Sequence, residues 1–322
     1  MSYTRREFAT RALAAVPALT ILPAYNWPAA EARSPKPNSK FAGVQVGMNV
    51  PYNFHAPAPV GNNMPGDEVL RRSVRLGISA VELRTQPVEM FLGSPAFSGG
   101  RADDVHRWRR LVSMEKVRAF RKTYNDAGVG IEIMKVDSLF NLADDELEYM
   151  FMLARNLGAR AISTEISNPV SNTRRVGQFA NKHRLWVGYH GHTETGPPQW
   201  EEAFGYSPRN GANLDIGHFV AGFSQSPVPF LKQHHDRITH VHVKDRRLGT
   251  KGGANVPFGH GDTPIAEVLH LIRDNKWRVQ ATIEFEYNPP PGPDGRPRQW
   301  TDEEGMAEMA RCVQYCKDVL LS

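Results

Sequence analysis

Apolar positions recur along the chain with two different periods. Short runs in which every second residue is apolar are separated by stretches in which apolar residues return every three or four positions. The first period is that of a strand with one buried face, and the second is that of an amphipathic helix. Read this way, residues 43–50, 80–84, 130–136, 160–166, 185–190, 213–216, 239–244 and 281–287 are strands. Helices are predicted around 67–76, 105–127, 145–157, 176–182, 199–204, 229–234 and 265–274, and at the C-terminus over about 302–320. The helix at 145–157 is the most strongly written. Asp145 and Glu148 make a capping-box pair, Leu147, Met150, Phe151, Ala154 and Leu157 form an apolar stripe, and Gly158 stops it. Eight strands alternating with helices across short connections predict an α/β protein, a (β/α)8 TIM barrel. A doubly wound open sheet is the runner-up. No Gly-x-Gly-x-x-Gly follows the first strand, and the chain contains no phosphate loop.

The polar positions sharpen this picture. In the stretch Ile238–Asp245 one face carries Ile238, His240, His242 and Lys244, and the other carries Thr239, Val241, Val243 and Asp245. Such a strand suits a barrel, packed on helices outside and turned to a site within. Other strands end alike: Ser163-Thr164-Glu165 on the fourth, Tyr189-His190-Gly191-His192-Thr193-Glu194 on the fifth, Asp215 and His218 on the sixth, Glu284 and Glu286 on the eighth. Ala161, Ser163 and Glu165 share a face, as do Asn213 and Asp215, and Thr282, Glu284 and Glu286. A barrel's active site lies at these strand ends. Carboxylates gathered on one axis repel, and a cation holds them together economically. Oxygen-rich ligation with one or two imidazoles suits Mn²⁺, Mg²⁺, Co²⁺ or Zn²⁺, and the carboxylate weight favours the harder ions, with Mn²⁺ the first expectation. The competing possibility is an ion network with Lys244, Arg84 and Arg246 and no metal.

Composition and charge matter mainly at the start of the chain. Arg5-Arg6 and Phe8 precede an apolar run at 12–22 that is too short to span a bilayer, and the set resembles a twin-arginine export signal. Cleavage after Ala32 or Ala24 leaves no membrane anchor. Residues 1–32 are therefore expected to be a signal peptide, 33–40 a linker and 41–322 the barrel, in a periplasmic or otherwise exported protein. Residues 1–32 hold three arginines and two glutamates, so their removal lowers the formal charge from +5 to +4. The remaining basic residues are scattered, which argues against a nucleic-acid partner. The two cysteines, Cys312 and Cys316, lie four apart on one helix and are expected to be free thiols.

The motifs also carry a resemblance. Tyr189-His190-Gly191-His192, Asp215-x-x-His218, His240-x-His242-x-Lys244-Asp245, Gly259-x-Gly261-Asp262 and Ile283-Glu284 make the chain from about 43 to 290 similar to the sugar phosphate isomerase/epimerase family. These are xylose isomerase-like TIM barrels, related to D-tagatose 3-epimerase, hydroxypyruvate isomerase and endonuclease IV. The resemblance implies metal ligands at Asp215, His242 and Glu284. The epimerases take their first ligand, a glutamate, from strand five, where this chain has His190. Glu165 is the first choice to complete the set and His190 the substitute. The resemblance also implies substrate contacts from His218, Lys244 and Arg246, and His192 is a further substrate-binding or acid–base candidate.

The implied chemistry is proton abstraction next to a carbonyl of a small sugar, through an enediolate, with Glu165, Glu284 and His190 as the acid–base candidates. Returning the proton gives an isomerase or epimerase. Expelling a glycosidic oxygen gives a 3-keto-glycoside lyase or hydrolase. A non-catalytic periplasmic sugar-binding protein is the reading from another class. The ends of strands two and three lack the extra histidines that an endonuclease IV-like metal cluster needs. A homo-oligomer is compatible with all of these.

Overall fold

The computed structural model describes residues 36–54 and 63–322. The twin-arginine stretch and the first residues of the expected linker lie outside the described residues. Eight strands form the barrel: β1 (Val44–Val50), β2 (Ala80–Arg84), β3 (Gly130–Lys135), β4 (Ala161–Glu165), β5 (Trp186–His190), β6 (Asn210–Asp215), β7 (Ile238–Val243) and β8 (Gln280–Ile283). Each is parallel to its neighbours, and β1 pairs with both β2 and β8, so the sheet closes. Two shifts of register occur, between Val81 and Glu82 and between Ala212 and Asn213. Both fall just ahead of buried polar residues, where an irregular ladder re-aims a side chain.

The helices α1 (Gly66–Arg75), α2 (Thr85–Phe91), α3 (Ala102–Arg109), α4 (Met114–Asp126), α5 (Asp144–Leu157), α6 (Thr173–His183), α7 (Pro197–Tyr206), α8 (Ile216–Phe223), α9 (Val228–His234), α10 (Ile265–Asp274) and α11 (Asp302–Leu321) follow in chain order. All five residues of the α5 stripe are buried, and each such side chain contributes roughly 1.5–3 kcal/mol through burial. Gly158 closes α5 at φ 83°, a left-handed conformation that glycine adopts without a Cβ clash.

Several sequence expectations are corrected. The helix expected over 105–127 is two, α3 and α4, because the Ser113 hydroxyl accepts from Glu115 N and starts a new helix. The start of α5 is one residue earlier than expected. Glu146, not Glu148, reaches back to the Ala143 N–H, and Glu148 instead pairs with Lys182 and His183. The last strand is shorter than 281–287. The ladder runs one step past β8, where Glu284 N donates to Val243 O, and the Asn53 side chain then takes over. Its Oδ1 accepts from Phe285 N, and its Nδ2 donates to Ile283 O. Helices α2 and α8 were not anticipated. Residues Ile216 to Ala221 of α8 are all buried, so the run has no polar stripe to betray a helical period.

Candidate metal and acid–base centre

At the C-terminal end of the barrel, inward positions on neighbouring strands point at one axis. His190 ends β5, Asp215 ends β6, His218 lies in the first turn of α8, and Glu284 follows β8. Their ligand atoms lie within 4.8 Å of one another, and all four residues are buried. Each carboxylate has one oxygen fixed by the fold and the other turned to the shared centre. Asp215 caps α8 by accepting from His218 N through Oδ1 at 2.7 Å. Its Oδ2 lies 3.4 Å from His190 Nε2 and 3.8 Å from His242 Nδ1. Glu284 accepts from Asn49 Nδ2 through Oε1 at 2.9 Å, and its Oε2 lies 3.3 Å from His242 Nδ1. The Lys244 ammonium lies 2.5 Å from Glu284 Oε2, 3.0 Å from Asp215 Oδ2 and 2.7 Å from Glu286 Oε2.

A second layer lies beneath. Glu82, fully buried on β2, places Oε2 2.7 Å from His242 Nε2 and 3.2 Å from His240 Nε2. On the other side of the centre, Glu165 Oε2 is 2.9 Å from both His190 Nδ1 and His192 Nε2, while its Oε1 accepts from Lys135 Nζ at 2.5 Å. The His192 side chain is half exposed and the His190 side chain is buried.

Burial and neighbouring charge oppose each other here. Burial pushes the Asp215 and Glu284 carboxyls up, but nearby His218, His242 and Lys244 pull harder and hold both below the ordinary range. Burial pushes His242 down, yet Glu284 and Glu82 carry it up to about 10. His218 and His240 yield to burial and fall to about 4. Glu165 lies well below its usual range, because Lys135 and His190 outweigh its burial, and the hydrogen bond to Glu165 raises His192.

The donor set fits a divalent ion. Ligand atoms on one ion, each about 2.0–2.2 Å from it, stand roughly 3 Å apart. Asp215 Oδ2 and His190 Nε2 stand 3.4 Å apart and Glu284 Oε2 and His242 Nδ1 3.3 Å apart, near that spacing, and the Lys244 ammonium bridges the two carboxylates, a cation's place between them. His242 Nδ1 is buried without a hydrogen bond, although Glu284 Oε2 is 3.3 Å away. Carboxylate oxygens with imidazole nitrogens suit Mn²⁺, Mg²⁺, Co²⁺ or Zn²⁺.

Comparison with known proteins bears on this arrangement. Residues 70–316 match the family described as xylose isomerase-like TIM barrel. The chain belongs to that family. A curated relative, the inosose dehydratase of Clostridium botulinum (strain Eklund 17B / Type B), is 28% identical over 135 residues, which span 36% of this chain and 45% of the relative. The chain thus matches a little under half the length of that relative. Among solved xylose isomerase-like structures, D-psicose 3-epimerase in the presence of D-fructose superposes with a TM-score of 0.57 at 14% identity, covering 87% of this chain and 100% of the other. A xylose isomerase-like TIM barrel protein from Mycobacterium smegmatis in complex with magnesium superposes with a TM-score of 0.57 at 15% identity, covering 86% of this chain and 97% of the other. At these identities the likeness establishes the barrel.

The residues singled out in the sequence divide into groups in this barrel. His190, Asp215, His242 and Glu284 surround the centre, with His218 and Lys244 beside them. Glu165 stands one step out, joined to the centre through His190. Arg246 donates to His218 Nδ1 at 2.6 Å and to Gly253 O at 2.9 Å, and His192 contacts Glu165 and packs its ring 4.7 Å from that of His190 and 4.8 Å from that of His218. Asp245, on the opposite face of its strand as its parity required, accepts from Gly259 N and Gly261 N and so pins the glycine loop. Three residues of this environment were not singled out from the sequence, Glu82, Asn49 and Lys135, and Asn213 was read only as sharing the face of Asp215. Asn213 Nδ2 lies 3.0 Å from His242 Nε2 and 3.1 Å from Ser163 Oγ. Glu82 had a signal, being the only acid in the otherwise apolar start of a strand, at an inward position.

Proposed function

We propose that the protein is a divalent-metal-dependent enzyme that removes a proton next to the carbonyl of a small sugar or keto-sugar. The observation that carries this is the convergence of His190, Asp215, His218 and Glu284, all buried and with ligand atoms within 4.8 Å of one another, with His242 Nδ1 3.3 Å from Glu284 Oε2 beside them. On this reading His190 completes the ligand set in place of Glu165. Glu165 is held 2.9 Å from His190 Nδ1, where it fixes the tautomer that leaves Nε2 free to ligate. Bound there, a divalent ion supplies the Lewis acidity that polarises the carbonyl and offsets the charge growing on its oxygen.

The remaining work falls to the chain's own side chains. Glu165 and His192 form a carboxylate–imidazole pair with the imidazole half exposed, suited to taking a proton from carbon and holding it. Glu284 is the second acid–base candidate, since its Oε2 faces the same centre. His218 offers a neutral donor toward substrate hydroxyls and Arg246 braces it, while the buried Lys244 ammonium holds the Asp215, Glu284 and Glu286 carboxylates in place. Returning the proton to the adjacent carbon or to the opposite face makes the enzyme an isomerase or epimerase. Expulsion of a group beta to the carbonyl makes it a lyase, and one observation favours keeping this second reading: the curated relative is named a dehydratase. Export by a twin-arginine route belongs to the same proposal and rests on Arg5-Arg6 and Phe8 ahead of the apolar run.

The test is metal content after chelation and reloading, together with deuterium uptake from D₂O into candidate keto-sugars. Stoichiometric metal and deuterium at the carbon next to the carbonyl are expected. Loss of water or an aglycone would separate the lyase from the isomerase. Tight sugar binding with neither metal nor exchange would overturn the proposal in favour of a binding protein.

A further inference from the structure

A cavity opens at the opposite end of the barrel from the metal and acid–base centre. It measures about 720 Å³ and is framed by the N-terminal ends of β1, β5, β7 and β8. That volume lies within the range of small-molecule sites. Thr239 lines it, three residues before His242 on the same strand, so it stands roughly 10 Å of strand away from the metal ligands.

Its lining is strongly one-signed. Lys40, Arg160, Arg237, Arg273, Lys276 and Arg278 face it, against Glu132 and Asp236. Two of the six are committed elsewhere: Arg237 donates to the carbonyls of Ser207 and Asn210, and Arg273 to Asp274 and the Leu320 carbonyl. Of the other four, Arg160 is partly offset by Glu132 and three have no carboxylate partner among the described residues. Arg160 donates to Thr239 O at 2.8 Å, and its nearest carboxylate oxygen is Glu132 Oε2, 3.6 Å from Nε. Among the described residues no carboxylate pairs with Lys40, Lys276 or Arg278. Burial acts most against the Arg160 cation, Glu132 supports it, and the charge of Arg278 acts against it less strongly. Lys40, Lys276 and Arg278 are exposed at the rim while Arg160 lies deeper, and like charges gathered there favour an anion. The walls add a flat apolar surface, with Trp186 on one side and Trp277 stacked on His235 at 4.6 Å on the other.

We propose that this basal cavity is a binding site for a small phosphate ester, with the guanidinium groups of Arg160 and Arg278 on the phosphate and the organic part against Trp186 and Trp277. Guanidinium groups match phosphate oxygens in a bidentate fork, and a dianion pairs with Arg278 while adding to the partial pairing of Arg160. The site is separate from the metal centre, and its ligand need not be the substrate.

The experiment is isothermal titration calorimetry of the purified full chain with 1-naphthyl phosphate, inorganic phosphate and citrate. The ester is expected to bind with one-to-one stoichiometry and more tightly than inorganic phosphate, because only it reaches the tryptophan walls. Arg278→Glu reverses an exposed charge and should weaken the ester at least about tenfold. If that variant does not fold, Lys276→Glu makes the same reversal and the same weakening is expected. Equal binding by a folded charge-reversal variant and by wild type overturns the proposal, as does absence of binding by the ester. Citrate binding more tightly than both phosphates overturns the choice of a phosphate ester. No result here depends on metal or turnover, so it stands or falls apart from the function proposed for the other end of the barrel.

Discussion

Glu82 shows how much one buried residue can control. It lies between two imidazoles on the barrel axis, and its contact with His242 Nε2 leaves Nδ1 turned to Asp215 and Glu284. Glu82→Gln keeps the shape but removes the charge that orients the ring. Metal affinity should fall by about 10–100-fold, as expected for the loss of such an outer partner. A direct Mn²⁺ titration reads this without turnover, and unchanged affinity would make Glu82 a packing residue only. Glu284→Gln is a different experiment at the same centre. The amide cannot accept a proton and ligates poorly, so turnover should drop by at least about 10²–10⁴-fold while the barrel stays folded. Measuring bound metal in that variant separates its two roles. Metal retained with deuterium exchange abolished identifies Glu284 as the base, and metal lost identifies it as a ligand.

At the scale of elements, α8 is the decisive piece. It starts directly on the last residue of β6, so Asp215 is both strand end and helix cap. This makes structure and chemistry separable by substitution. Asparagine caps a helix about as well as aspartate, whereas alanine costs roughly 1 kcal/mol. Asp215→Asn should therefore melt at a higher temperature than Asp215→Ala, while both lose the metal. Calorimetry and metal analysis on the pair check this, and full metal occupancy in Asp215→Asn would remove Asp215 from the ligand set. The pinned loop at Gly259–Gly261 is organised by the same economy. Asp245 sits one residue after Lys244, faces the opposite way, and fixes the loop while Lys244 serves the site.

The whole molecule carries its two thiols inside. Cys312 and Cys316 are free and buried on α11. Burial pushes the Cys312 thiol from its ordinary 9.0 up to about 12. The native state then holds its proton at a pH where the unfolded chain has released it. Stability should be unaffected by this group below about pH 9 and decline as pH rises from there toward 12. Denaturant melts at stepped alkaline pH should show that slope, and a Cys312→Ala variant should show less of it. Neither thiol should react with a polar disulfide reagent until the chain unfolds. The proposed export is also a property of the full chain. Replacing Arg5 and Arg6 with lysine should block passage to the periplasm, and an unchanged exported fraction would remove the twin-arginine assignment.

Strand and helix periods were enough to reach the eight-stranded barrel, because burial on one face writes itself into local spacing. The same logic placed Asp215, His242 and Glu284 inward and Asp245 outward, since parity along a strand is a local property. Helix α8 escaped because it is apolar all round, and α2 because it follows β2 without a break. The grouping of side chains across strands escaped for another reason. Glu82 and His242 are 160 residues apart in sequence and 2.7 Å apart in space. Nothing in the neighbourhood of either residue encodes that distance; barrel closure and the registers of β2 on β1, β1 on β8 and β8 on β7 set it. The choice between Glu165 and His190 at the centre is of the same kind. Both have inward parity, and they sit side by side on paired strands. Lys135, contributed by β3, draws Glu165 outward, and His190 is left facing Asp215.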